Sequence, residues 1–190
     1  MKTLLICFLA SLLSACVSMT AVGPGDVTVR DKLVVKLDSA WNKYNGPGVG
    51  KTELWTTDGL SLDVLRFFVD IGEGEQLIEV RGAHEKQVPK FRATMQPQEV
   101  VELYDAVMSQ GGNRFHLDKL APADFAGGAG FRFDYTLVRK GDEVELKGFC
   151  YGVVRDKRLY LMTFQAPKIH YYAQHAQRAQ AAALSIRFKG

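Results

Sequence analysis

Several groups of residues have the side chains from which a reactive or binding site is made. The loop Asn45-Gly46-Pro47-Gly48-Val49-Gly50 runs into Lys51-Thr52, and a Gly-Lys-Thr ending invites comparison with loops whose backbone amides and following helix surround phosphates. Asn45 stands where that loop needs its first Gly, and Glu53-Leu54-Trp55-Thr56 is β-prone, so no nucleotide is expected. Gly127-Gly128-Ala129-Gly130 precedes a strand pattern, whereas a dinucleotide loop follows a strand and opens a helix. Gly72-Glu73-Gly74-Glu75 offers too few oxygens for calcium and reads as a solvated acidic turn. Zinc needs converging ligands, but His170 and His175 lie about 140° apart around a helix of 3.6 residues per turn, and His84 and His116 stand alone. All four read as solvated or supporting histidines, and no metal or cofactor is expected. Cys150 has no cationic neighbour in sequence to make it a thiolate, and Gly-x-Ser-x-Gly is missing. No catalytic residue is therefore predicted. A hydrolase built from dispersed carboxylates is the enzymatic alternative, and only the fold could assemble one.

The N-terminus carries an address. Met1-Lys2-Thr3 is followed by an apolar run from Leu4 to Leu13, too short for the roughly 20 residues of a membrane span but right for a secretory signal. The run ends in Leu13-Ser14-Ala15-Cys16, which resembles the bacterial lipobox at each of its four positions. That resemblance implies cleavage between Ala15 and Cys16, a diacylglycerol on the Cys16 sulfur, and palmitate or a similar acyl group on the new amine. Two or three acyl chains anchor stably where one does not. Val17, not Asp, follows the cysteine; by resemblance to Gram-negative sorting signals this implies the outer membrane, facing the periplasm. The formal net charge is +3, with Lys and Arg scattered, so neither nucleic acid nor an anionic surface is implied as partner. With Cys7 removed and Cys16 acylated, Cys150 is a lone thiol in an oxidising compartment, where burial is safest.

The elements that must position any site follow from periodicity. Residues 1–15 read as the signal, 16–26 as a lipidated N-terminus and flexible tether, and 27–190 as a single domain. Val27 to Leu37 reads as a strand interrupted at Arg30-Asp31, with Trp41 to Asn45 after it. Trp55-Thr56-Thr57-Asp58-Gly59 reads as a strand end entering a tight turn, since Asp-Gly tolerates positive φ. Leu60 to Ile71 is apolar on both sides and predicts a central strand; Leu77 to Val80 predicts a short one. Pro97, Glu99 and the apolar series Val100, Leu103, Tyr104, Val107, Met108 predict a helix that Gly111-Gly112 stops. Phe115 to Leu120 predicts an edge strand and Pro122 to Gly130 a loop. From Phe131 to Phe164 the alternation predicts a three-strand antiparallel meander. Pro167 predicts the start of a C-terminal helix whose inner face is Ile169, Tyr172, Ala173, Ala176 and Ala183, with Gly148 and Gly152 leaving room for it, and Leu184 to Phe188 closes the chain.

The expected class is α+β, a twisted antiparallel sheet packed by a middle and a C-terminal helix. This order, with Phe164-Gln165-Ala166-Pro167 introducing the last helix and Ser185-Ile186-Arg187-Phe188 ending it, resembles the PsbP-like fold, shared by the extrinsic PsbP subunit of photosystem II and a Ran-binding nuclear import factor. Trp55-Thr56-Thr57-Asp58-Gly59 resembles a stretch of uncharacterised bacterial lipoproteins. The first resemblance implies a protein-binding role. The expectation is a non-catalytic, lipid-anchored envelope protein that binds or helps assemble another envelope protein. The alternative is a carrier of an apolar ligand, with Trp41, Trp55, Phe67 and Phe68 lining a cavity between sheet and helix.

Overall fold

The computed structural model describes residues 18–47, 50–78 and 88–190. One long antiparallel sheet organises them. Its strands are β1 (Met19–Val22), β4 (Trp41–Tyr44), β5 (Thr52–Thr56), β6 (Val64–Ile71), β10 (Arg158–Pro167), β9 (Glu145–Arg155), β8 (Gly128–Val138) and β7 (Arg114–Phe125), in that spatial order. A smaller sheet pairs β11 (Arg187–Phe188), β3 (Leu33–Leu37) and β2 (Gly25–Val29). Helix α1 (Pro97–Met108) packs on one face of the long sheet, and helix α2 (Tyr171–Leu184) lies with the small sheet on the other.

The alternation that marks the meander also divides the core. On β8, Phe131, Phe133, Tyr135 and Leu137 all point into the α1-side core, as do Leu146 and Cys150 of β9. Phe149, Tyr151 and Val153 of β9 point the other way, to α2. Such period-two segregation fixes the register, because a slip of one residue would exchange the two faces. Strand β6 is central as expected, with Phe67 in one core and Phe68 in the other. Helix α1 begins at Pro97 as predicted, and Glu99 Oε2 accepts the Gln96 amide at 2.8 Å, satisfying an otherwise orphaned donor.

Several expectations are corrected. The reach read as a tether is partly sheet: Met19–Val22 pairs with Trp41–Tyr44. An edge strand exposed on both sides has no reason to alternate, so it left no periodic trace. Val27 to Leu37 is a hairpin rather than one strand, since Arg30 and Asp31 both take positive φ in the three-residue turn between the paired Val29 and Leu33. The predicted loop from Pro122 to Gly130 is mostly ladder: β7 runs to Phe125, the turn is Ala126-Gly127, and β8 starts at Gly128. The central strand begins at Val64, because residues 60–63 belong to the turn before it. Leu77 and Ile78 lie outside any strand, and Glu79 and Val80 are outside the described residues.

The C-terminal helix differs most. Pro167 is the last residue of β10, and the helix opens at Tyr171 after His170 at φ 73°. Its buried face is His175, Ala179, Ala182 and Ala183, whereas Ile169 is 86% exposed and Ala173 is exposed. An alanine-rich segment has little apolar contrast around its circumference, so tertiary contacts set its rotation. Gly148 and Gly152 face the α1 side, not α2: a Cβ on Gly148 would strike the ring of its cross-strand partner Tyr135, and one on Gly152 would meet Phe131 and Leu161. The glycines make room for aromatic rings within the sheet.

Candidate functional site

The turn after β5 is where the fold gathers charged side chains against a helix. Asp63, 1% exposed, lies beneath the turn and accepts hydrogen bonds from Thr56 Oγ1 at 2.8 Å, Thr57 N at 2.8 Å and Asp58 N at 2.7 Å. Gly59 takes φ 116°, a value closed to side chains, and donates its amide to Thr56 Oγ1. The result is a rigid presentation of Asp58 toward α2, where His175 Nε2 meets Asp58 Oδ2 at 2.6 Å.

One turn further along α2, Arg178 spreads its guanidinium 4.3 Å over the Trp41 ring. It donates to Thr57 Oγ1 at 3.2 Å, to the Ser39 carbonyl at 3.3 Å and to the Ala40 carbonyl. Burial lowers its pKa, opposed by the nearby carboxylates of Asp63, Asp58 and Asp38. A planar, multi-donor cation suits this position where a lysine would not.

Asp58, Asp63 and His175 place three potential ligand atoms within 4.8 Å of one another, a metal-like composition. Much of their hydrogen-bonding capacity is already used by the protein. Asp63 already takes three donors, Asp58 Oδ2 is taken by His175, and the Arg178 guanidinium supplies the positive charge a cation would bring. Nor does the cluster offer a nucleophile, since the Thr56 hydroxyl both donates to Asp63 and accepts from Gly59. The geometry is that of a latch joining α2 to the β3–β4 link and the β5–β6 turn.

The other reactive groups are buried. Cys150 is fully buried and its thiol is pushed well above its ordinary pKa by burial. Tyr104 Oη lies 2.9 Å from Tyr135 Oη, which donates to Gln165 Oε1 at 3.1 Å. Burial pushes Tyr104 up to about 12 and raises Tyr135 well above the ordinary tyrosine value. All three stay protonated and unreactive at neutral pH. An open apolar groove of about 420 Å³ lies between the start of α1 and the β7–β8 hairpin, lined by Pro97, Leu120, Pro122 and Phe131 among others.

The residues singled out from sequence are dispersed. Ala15 and Cys16 lie outside the described residues, as does His84. Trp41, Trp55 and Phe67 sit in the α2-side core, and Phe68 in the α1-side core. Since they occupy opposite faces of the sheet, they cannot line one cavity. Trp55 packs on Phe67 with ring centroids 4.7 Å apart, and its Nε1 donates to Glu53 at 2.9 Å. The acidic turn is structural: Glu75 pairs with Lys51 at 2.6 Å and accepts the Gly72 amide, while Glu73 accepts the Ala93 amide. The hydrogen bond from Lys51, followed by that from Gly72, holds the Glu75 pKa below the usual carboxylate value. His175, expected to be a solvated or supporting histidine, has the supporting role, and its i, i+3 spacing from Arg178, which places both on one helical face, is the signal in the sequence.

This combination defines the class by architecture. A long antiparallel sheet with a C-terminal meander, a middle helix and a C-terminal helix is the PsbP-like fold, and the solution structure of cyanobacterial PsbP (CyanoP) from Synechocystis sp. PCC 6803 superposes with a TM-score of 0.57 at 11% identity, covering 93% of this chain and 95% of that one. Weaker likenesses are to a crystal structure from Bacteroides thetaiotaomicron VPI-5482 (TM-score 0.48, 11% identity, 88% of this chain and 50% of that one). Another is to LpqN, involved in cell envelope biogenesis of Mycobacterium tuberculosis (TM-score 0.36, 9% identity, 94% and 88%). No protein-family model and no curated protein sequence matches the chain.

Proposed function

We propose that this chain is a lipid-anchored, periplasm-facing envelope protein, acylated on Cys16 and held at the outer membrane, whose domain binds or helps assemble another envelope protein without catalysis. The observation that carries the proposal is the tetrapeptide Leu13-Ser14-Ala15-Cys16 after a positive start and a short apolar run. The PsbP-like fold is compatible with a binding role, though a fold alone does not fix function. The groups that could react are either buried and protonated or committed to structural hydrogen bonds. Asp58 and Asp63 do converge, as a hydrolase would need, but onto His175, Arg178 and backbone amides rather than into an open cleft. Among the described residues no helix is long and apolar enough to cross a membrane, and acylation would supply the attachment.

Labelled palmitate should enter the wild-type chain and not Cys16→Ala, and in-cell crosslinking followed by affinity capture should recover one reproducible envelope protein. Equal labelling of both chains would refute the anchor, and capture without a reproducible partner would count against the binding role.

A further inference from the structure

The two edges of the long sheet are built differently. An edge strand leaves a row of backbone donors and acceptors unpaired, and exposed edges are ordinarily guarded by charge, proline or a bulge. Strand β7 has all three: Arg114, Asp118 and Lys119 along it, Pro122 within it, and an irregularity between Leu117 and Lys119. Strand β1 has none. From Val17 to Gly25 there is no charged residue, Ser18 to Ala21 are exposed, and Met19 presents a large apolar side chain at 38% exposure. Beside it, Asn45, whose amide donates to the Ser18 carbonyl, and the following Gly46 and Pro47 are also uncharged. Among the described residues no strand pairs with the outer side of β1.

The covalent chain indicates what covers this corner. Met19 follows Cys16 by three positions, and three Cα–Cα steps of about 3.8 Å span at most about 11 Å. A domain joined to an acylated Cys16 therefore has no tether long enough to leave the surface. Its first strand begins within the depth of a headgroup layer.

We infer that the β1 edge forms a membrane-seating face, held against the lipid headgroups by the shortness of the link from Cys16. This rests on the lipoprotein reading above. The missing guards on β1 are then explained, because headgroups and interfacial water satisfy its free backbone groups and exclude a second strand. Partners would meet the domain away from β1, beside the bilayer.

The lipidated full-length product is purified with a single added thiol at Ala21→Cys on β1 or Lys119→Cys on β7, Cys150 being buried. Each is labelled with a fluorophore and reconstituted in phosphatidylethanolamine–phosphatidylglycerol vesicles carrying headgroup nitroxide quenchers. The label at position 21 should be quenched several-fold more than that at 119. Inserting ten Gly/Ser residues after Val17, which adds up to about 35 Å of reach, should reduce the difference while flotation with the vesicles persists. Equal quenching of the two labels in floating protein overturns the seating face and leaves the lipoprotein reading intact. Failure of the native protein to float removes that reading itself. Disulfide dimers forming through unlabelled Ala21→Cys in the vesicles as protein density rises would show that a second copy covers the edge, and would also overturn the inference.

Discussion

A guanidinium that bridges three chain segments is hard to replace, and Arg178 is such a group. It stacks on Trp41, and it joins α2 to the carbonyls of Ser39 and Ala40 and to Thr57. An ammonium can satisfy one of these acceptors but cannot lie flat on the indole. Arg178→Lys should therefore lower unfolding free energy by about 1–2 kcal/mol, and Arg178→Ala by about 2–3 kcal/mol, read from denaturant midpoints. A loss below a few tenths for the alanine variant would mean the latch carries no load. The buried hydroxyls and thiol give a second expectation at this scale. Tyr104, Tyr135 and Cys150 have folded pKa values raised by burial above ordinary values of 10.0, 10.0 and 9.0. For groups shifted upward, the folded state retains protons that the unfolded state releases, so their stabilising contribution is whole below pH 9 and falls as pH rises beyond it. Stability should be flat from neutrality to about pH 9 and decline above it. Part of the tyrosinate absorbance should appear only as the protein unfolds. Complete titration of all seven tyrosines with the fold intact would contradict this.

At the scale of elements, glycines in the middle of β9 are spaces already occupied by rings. A methyl group on Gly148 would enter the Tyr135 ring, which is itself fixed by hydrogen bonds to Tyr104 and Gln165. Gly148→Ala should cost about 1–3 kcal/mol through overpacking, despite alanine's better strand entropy, and Tyr135→Phe should not rescue it. A stable Gly148→Ala would show that the ring can move. The same elements show what a sequence reveals. The meander was legible because each strand buries one or two faces with a strict period of two, and α1 because its apolar stripe, Pro97 and Glu99 agree. Strand β1 was not, because both its sides are exposed. The rotation of α2 was hidden because alanine gives every face similar polarity. The latch was illegible as a unit: Asp58 and His175 are 117 positions apart, and only sheet order brings the β5–β6 turn under the last helix.

For the whole molecule, the question is whether two cores make one folding unit. The α2-side core holds both tryptophans, Trp41 and Trp55, and the α1-side core holds Cys150. The cores share no side chain, yet they share β6, β9 and β10, whose successive residues point to opposite faces: Phe67 and Phe68 on one strand, Phe149 and Cys150 on another. Losing either face would expose the backbone ladders that hold the other, so neither should open alone. A mature chain carrying Cys16→Ser has Cys150 as its one thiol. In a guanidinium titration, tryptophan emission reports the α2 side and Cys150 labelling at equilibrium reports the α1 side. The two midpoints and slopes should coincide, and Arg178→Ala, though it acts only on the α2 side, should move both together. Cys150 becoming reactive at a lower denaturant concentration than the tryptophan transition would mean that α1 detaches from a sheet still held by α2, and that the two faces are separate cooperative units.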